Sequence, residues 1–153
     1  MPSPTSYRVV ARARPGADAT VTAGTSTLAI DATWGAAPSG EPGPAELLAS
    51  AFAACLLKNL ARCHDLLGFT YDAAEVEVTA RRQDAPPRFV EVSYRLEVST
   101  SESTRRVELV HQNLRRFGTV YNTLAAVCDV HGSMVGVPVA GTSPRTPEPA
   151  PSA

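Results

Sequence analysis

An excess of charge of one sign is missing from this sequence: 14 basic and 15 acidic residues give the 153-residue chain a formal net charge of −1. With its arginines spread along the chain, the protein offers no electrostatic footprint for nucleic acid or for an anionic membrane surface. The amino terminus also has no apolar segment of the kind that directs secretion. We therefore expect a cytoplasmic protein that binds neither nucleic acid nor membrane.

Cysteine is scarce as well. The three cysteines are Cys55, Cys63 and Cys128, and their spacings lack the C-x-x-C pairs of a structural zinc site. Three thiols in a reducing compartment do not make a disulfide framework, and the three histidines complete no metal-ligand spacing with them. The sequence predicts no metal and no cofactor, so each thiol is either redox-active or simply buried.

No apolar run reaches the roughly 18 residues that a bilayer span requires. The longest, residues 47–57, follows Pro44 and Glu46, which suit the first turn of a helix because proline has no N–H to lose and a carboxylate complements the helix dipole. Nearly every residue of the run is apolar, so we expect a central helix wrapped by a sheet, other helices or a second subunit. It extends to about Leu67, where Gly68 ends it, and carries Cys55 into the interior.

The remaining pattern predicts an α+β fold with antiparallel pairing in a single domain, residues 1–140. Alternation and turn residues predict strands at 7–14, at 20–33 with a break near Gly24, at 74–82, at 89–100 and at 127–139. Helical spacing predicts a second helix at 101–116, and residues 119–126 are predicted to form a short helix or a turn. An exposed loop is expected at 35–43, and the Pro- and Ser-rich tail, 141–153, is predicted to be disordered.

Several motifs resemble the OsmC/Ohr family of thiol-dependent hydroperoxide reductases across roughly residues 6–139. They are Pro44-x-Glu46-Leu47-Leu48, Ala53-Ala54-Cys55, the paired strands after that helix, and the segment 109–124 with Phe117-Gly118-Thr119-Val120-Tyr121. The resemblance implies an OsmC-like fold, with antiparallel sheets wrapped around two central helices of an intertwined homodimer. It also implies active sites at the subunit interface.

In the family, the cysteine at the Cys55 position attacks the peroxide and a second cysteine then captures the sulfenic acid. The second cysteine of typical members falls at Gly118 in this chain, and the glutamate that follows the proline falls at Ala45. Glu46 matches the next carboxylate often seen there. The Gly-Gly-Arg that carries the family's activating arginine is not found in the early strands.

A reactive Cys55 needs help, because only the thiolate is nucleophilic and burial alone raises the ordinary thiol pKa of about 8.5. Lys58 lies three residues on, on roughly the same face of the helix, and can supply a positive charge if it turns inward. An arginine of a second subunit is the alternative, with Arg12, Arg14 and Arg88 as candidates.

Helix geometry limits the other candidates. Glu46, nine residues before Cys55, is about 13 Å away along the axis, so it either acts across a dimer interface or serves only the helix dipole. Cys63, eight residues after Cys55, is about 12 Å away, beyond the roughly 7 Å Cα limit of a disulfide. Cys128 is therefore the candidate resolving cysteine, and an external thiol replaces it if Cys128 does not reach Cys55.

These considerations predict a homodimeric, thiol-dependent peroxidase that reduces organic hydroperoxides through Cys55 in oxidative stress defence. Its partners are a small-molecule hydroperoxide and a thiol reductant, and the predicted catalytic set is Cys55, Cys128, Glu46 and Lys58. One alternative is an OsmC-fold protein without turnover that binds a small apolar ligand at the dimer interface. Another is a different thiol chemistry at Cys55, such as thioester or electrophile handling.

Overall fold

The computed structural model of the chain describes residues 3–35 and 37–139. Over these residues it has the α+β composition predicted, with six strands and three helices. The chain divides into two compact units, Met1–Ser50 and Ala51–Ala153, which we describe in turn. The tail predicted to be disordered, 141–153, lies outside the described residues, and the single domain over 1–140 stays a prediction.

An antiparallel meander of three strands forms the first unit. Its strands are β1 (Val9–Arg12), β2 (Ala19–Ala23) and β3 (Ser26–Ile30), paired in that order. Gly24 has a φ of 58° in the two-residue loop between β2 and β3, a backbone conformation that favours glycine. The predicted break in this β segment is therefore confirmed.

Asp31 organises the loop that follows β3. Its carboxylate accepts hydrogen bonds from the backbone N–H and hydroxyl of Thr33, at 2.9 and 2.7 Å, and from the N–H of Ser39 at 3.2 Å. These bonds hold the pKa of Asp31 below its usual value. Residues 35 and 37–41 of this loop are exposed, as predicted, and the loop leads directly into the long helix.

The long helix, α1 (Pro44–Leu67), has the bounds that the sequence predicts. The N–H of Gly43 donates to Glu46 Oε2 at 3.1 Å at its start, and Gly68, with a φ of 62°, ends it while donating to the carbonyl of His64 at 3.1 Å. The buried residues of α1 form one stripe: Phe52, Leu56, Leu60 and Cys63. Cover on most sides of α1, by a sheet, other helices or a second subunit, stays a prediction.

The second unit holds a sheet in the order β4-β5-β6. Its strands are β4 (Ala73–Asp84), β5 (Pro87–Ser99) and β6 (Asp129–Val137). β4 and β5 are antiparallel, but β6 runs parallel to β5, which differs from the antiparallel pairing predicted. The reason is the connection: α2 (Thr104–Phe117) and α3 (Thr119–Ala125) lie between β5 and β6 and form a crossover long enough for parallel pairing.

The core of the second unit lies between the inner face of β5 and the buried faces of the helices. Alternate residues of β5 are buried, and α2 buries one residue in every three or four, including His111. β6 approaches β5 closely at Gly132, where a Cβ atom would overlap the backbone and ring of Tyr94. Only glycine permits this approach, so Gly132 sets the contact between the two parallel strands.

Candidate active site

Cys55 lies near the middle of α1, in the second unit, between the buried residues Phe52 and Leu56. The side chain of Cys55 is half-buried and its thiol is free. It therefore combines support by the core with partial access to solvent, which a reactive thiol requires.

Position 118 lies against this thiol. Gly118 ends α2 and begins α3, and its N–H donates to the carbonyl of Leu114 at 3.1 Å. A Cβ atom at position 118 would be 3.3 Å from Cys55 Sγ, 2.9 Å from Tyr121 Cβ and 3.0 Å from Leu114 O. The residue after the second helix thus faces Cys55, and any side chain there would have to displace its neighbours.

Asn59 contacts Cys55 from the next turn of α1. Its Nδ2 donates to the backbone carbonyl of Cys55 at 2.9 Å and to Cys55 Sγ at 3.6 Å. The sequence analysis overlooked this residue, although its spacing of four from Cys55 places the two side chains on one face of a helix.

The rings of Phe52, Tyr94 and Tyr121 pack together in the second unit. The ring of Phe52 lies 5.6 Å from the rings of both Tyr94 and Tyr121, measured between centroids. The Tyr94 hydroxyl forms a hydrogen bond with His111 Nε2 at 2.6 Å. Burial lowers the pKa of His111 and raises the pKa of Tyr94, so both groups are neutral near pH 7. Tyr121 of this cluster also lies beside position 118, which faces Cys55.

Cys128 lies in the turn between α3 and β6, just before the strand. Its thiol donates to the carbonyl of Leu124 at 3.2 Å, and burial, followed by the negative charge of Asp129, raises its pKa. In the described part of the chain, no hydrogen bond or disulfide joins Cys128 to Cys55.

Cys63 is fully buried in the stripe of α1. Its thiol donates to Asn113 Oδ1 at 3.4 Å, and burial raises its pKa against the smaller opposing effect of the Arg62 charge. These contacts are those of a thiol that keeps its proton.

The two charged residues of the predicted catalytic set lie on α1. Glu46 makes the local bond to Gly43 that a first-turn carboxylate is expected to make. Lys58 is exposed, and among residues 3–35 and 37–139 it has no hydrogen bond or ion pair, including none with Cys55. The participation of either residue in catalysis stays a prediction.

The other two of the three histidines, His64 and His131, form hydrogen bonds with other protein groups. His64 Nδ1 bonds to the Phe69 carbonyl at 2.8 Å, and His131 Nε2 bonds to Glu91 Oε1 at 3.0 Å. Within the described ranges, no group of three or more His, Cys, Asp and Glu residues is arranged to hold a metal ion.

α1, the helix that carries Cys55, is apolar over much of its length. By length and composition α1 meets the criteria for a helix that could cross a membrane, with a mean hydropathy of 1.2, and only 17% of that apolar window is buried within the chain. The sequence analysis put the apolar run below the length of a span because it counted only uninterrupted apolar residues.

Fold and site together define a class: an α+β protein that carries a partly accessible thiol on its long helix. A family model described as OsmC-like protein matches residues 37–131, and the chain belongs to the OsmC family. A search of curated protein sequences finds no match.

Solved structures have the same fold. The OsmC-like protein of Mycoplasma pneumoniae matches with a TM-score of 0.77 at 19% identity, covering 87% of this chain and 98% of the other. The organic hydroperoxide resistance protein OsmC of Legionella pneumophila matches with a TM-score of 0.68 at 15% identity, over 87% and 98% of the two chains. OhrB of Bacillus subtilis, an organic hydroperoxide resistance protein, matches with a TM-score of 0.62 at 16% identity, over 86% and 98%. The predicted family and the α+β, OsmC-like fold class are therefore confirmed, and the intertwined homodimer stays a prediction.

Proposed function

We propose that this protein is a thiol-dependent peroxidase that reduces organic hydroperoxides through Cys55, in defence against oxidative stress. The contact between Cys55 Sγ and position 118 carries the proposal. The resemblance puts the second cysteine of typical members at that position, and here the same two positions are neighbours. Two proteins of the same fold bear the name organic hydroperoxide resistance protein, which agrees with this substrate class.

The reaction begins with the Cys55 thiolate, which attacks the terminal oxygen of the hydroperoxide. An S–O bond forms, the O–O bond breaks, and the departing alkoxide takes up a proton to become an alcohol. The sulfur loses two electrons and becomes a sulfenic acid. A thiol then attacks this sulfur, water leaves, a disulfide forms, and a second thiol reduces that disulfide.

An external small thiol is the reductant that we propose for the second half of the cycle. Gly118 has no thiol to offer, and the Cys128 thiol donates to the Leu124 carbonyl. The raised pKa of Cys128 further lowers its thiolate fraction near pH 7. Direct resolution by Cys128, which the sequence suggested, requires its release from this bond.

A homodimer in the cytoplasm is the proposed assembly. The exposed apolar surface of α1 supports it, because a second copy of the chain would bury that surface and enclose the thiol. In this arrangement Glu46 and an arginine of the second copy are available to the site, as the sequence analysis expects.

The experiment is intact-mass analysis with disulfide mapping after treatment of the reduced protein with a small excess of cumene hydroperoxide. We expect a gain of one oxygen at Cys55, or a mixed disulfide when a small thiol is added, and neither in Cys55→Ser. Cys63→Ser is the matched control on the same helix and should react as the wild type does. An unreactive Cys55 would overturn the proposal and favour the alternative, a protein of this fold that binds a small apolar ligand without turnover.

A further inference from the structure

The side-chain amide of Asn59 touches Cys55 at two atoms, and these contacts indicate a role beyond helix packing. Asn59 Nδ2 lies 2.9 Å from the carbonyl oxygen of Cys55 and 3.6 Å from its sulfur. Asn59 is half-buried, so water competes only partly for the same amide hydrogens.

The first contact fixes which end of the amide faces the sulfur. A backbone carbonyl only accepts hydrogen bonds, so the atom next to the Cys55 oxygen must be the NH₂ group and not Oδ1 of Asn59. This group has two hydrogens: one goes to the carbonyl, and the other is free to point at Cys55 Sγ. The sulfur therefore faces a hydrogen-bond donor.

A donor in this position favours one protonation state of Cys55. A thiolate accepts a hydrogen bond far more strongly than a neutral thiol, because the donor meets a full negative charge. We propose that Asn59 is the positioning residue of the Cys55 thiolate, holding the sulfur in place and stabilising its charge. This inference rests on the proposed function for its biological purpose, though not for its chemistry.

No cationic side chain of the described residues forms a hydrogen bond with Cys55 Sγ. Cationic side chains do lie on the same elements, among them Lys58 and Arg62 on α1 and Arg115 and Arg116 on α2. Among the described residues, Asn59 is the one whose side chain forms a hydrogen bond with Cys55 Sγ.

Asparagine at position 59 is also unfavourable for the helix in which it lies. Asparagine is a poor helix former, and a side chain that bonds back to the carbonyl four residues earlier slightly weakens a helix. Asn59 occupies the interior of a 24-residue helix in which alanine and leucine are frequent. A locally unfavourable residue beside the candidate nucleophile is what a functional requirement for its amide would produce.

The test measures thiolate formation at Cys55 directly. The rate of Cys55 alkylation by iodoacetamide is followed between pH 5 and 10 by mass spectrometry of its peptide, in the full chain. Asn59→Ala removes both bonds. Asn59→Ser keeps a bond to the Cys55 carbonyl but has only one hydrogen, which leaves none for the sulfur. Asn59→Asp keeps the shape and replaces the donor with a negative charge.

We expect the pH at half-maximal alkylation to rise by about 0.5 to 1 unit in Asn59→Ala and Asn59→Ser, and by more in Asn59→Asp. Oxidation by cumene hydroperoxide at pH 7 should slow by about 3- to 10-fold in the first two variants, in step with the thiolate fraction. Asn113→Ala, which removes the asparagine beside Cys63, is the matched control and should leave the Cys55 profile unchanged.

Coincident profiles for wild type, Asn59→Ala and Asn59→Ser would overturn the inference, even if the variants unfold more easily, because a purely structural role would not move the midpoint. The two proposals fail separately. A shifted midpoint together with a wild-type Cys55 that peroxide does not oxidise would refute the peroxidase and leave the role of Asn59 standing. Normal oxidation with coincident midpoints would do the reverse.

Discussion

Cys55 and Cys63 lie on the same helix, each beside an asparagine, and they differ in which end of the amide faces the sulfur. Cys55 faces the NH₂ group of Asn59, which donates to it. Cys63 faces Oδ1 of Asn113, and the orientation of that amide is fixed because the guanidinium of Arg62 donates to the same oxygen at 3.0 Å.

The difference shows that one helix presents its two thiols to opposite ends of an amide. An acceptor beside Cys63 is satisfied only while the thiol keeps its proton, and full burial acts in the same direction. A donor beside Cys55 is best satisfied when the proton has left. Two turns of helix thus separate a structural thiol from a candidate nucleophile.

The largest expected effect is the ratio of reactivities in the folded protein. Cys55 should be alkylated by iodoacetamide at pH 7.5 at least about 100-fold faster than Cys63, because Cys63 is inaccessible except through local opening. Isotopic labelling with peptide mass spectrometry measures both rates in one sample. In denaturant the two rates should agree within about threefold, and similar rates in the folded state would break the comparison.

The next effect concerns the glycine that faces Cys55. Gly118→Ala places a methyl group 2.9 Å from Tyr121 Cβ and 3.3 Å from Cys55 Sγ, and we expect a loss of about 1 to 3 kcal/mol in the free energy of unfolding. Alkylation of Cys55 should slow, since the methyl group covers part of the sulfur.

Urea unfolding and the alkylation rate together test this prediction. Gly136→Ala is the matched control, because its Cβ would be 3.3 Å from methyl groups of Thr100 and Val107 and does not approach Cys55. It should lose less than about 1 kcal/mol and leave the alkylation rate unchanged. Equal effects of the two substitutions on alkylation would mean that position 118 does not control access.

The smallest effect is an alkaline dependence of stability. The pKa of Cys63 is higher in the folded protein than in the unfolded chain, because burial disfavours the thiolate. The unfolded chain therefore loses its proton first as pH rises, so this contribution to stability is complete below about pH 8.5 and is lost above it, by at most about 1.4 kcal/mol per pH unit.

Cys63→Ser isolates this contribution, since a hydroxyl can still donate to Asn113 but does not titrate in that range. Unfolding free energies of wild type and Cys63→Ser, measured from pH 7 to 10, should diverge in slope only at the alkaline end. Parallel curves would show that the pKa of Cys63 is the same in the folded and the unfolded chain.

The sequence predicted those parts of the molecule that depend on local signals. Pro44 and Gly68 mark the ends of α1, and the stripe of apolar residues on β5 marks its buried face, so both elements were found at nearly their observed bounds. The family motifs placed Cys55 at the site. The direction of β6 was missed, because parallel or antiparallel pairing depends on how the helical crossover returns the chain, which no residue of β6 specifies.

The sequence also could not predict which end of an asparagine amide faces each of the two thiols. Cys63 and Asn113 are 50 residues apart and meet only because α1 packs on α2. Asn59 was within reach, four residues from Cys55, but an asparagine at that spacing becomes informative only when the bond to the Cys55 carbonyl fixes its orientation. The sequence analysis named Lys58 because of its positive charge, whereas the group that forms a hydrogen bond with the Cys55 sulfur is the neutral amide of Asn59.

The exposed apolar residues of α1 have a consequence for how stability depends on protein concentration. Leu57, Leu66 and Leu67 of α1 are exposed in one chain, and exposed apolar surface is unfavourable in water. In the homodimer proposed above, a second chain would cover these residues, so folding and association would become one equilibrium and dilution would favour unfolding. The melting temperature and the accessibility of Cys55 would then both depend on protein concentration, so that the amount of this protein in the cell would itself set the fraction able to act.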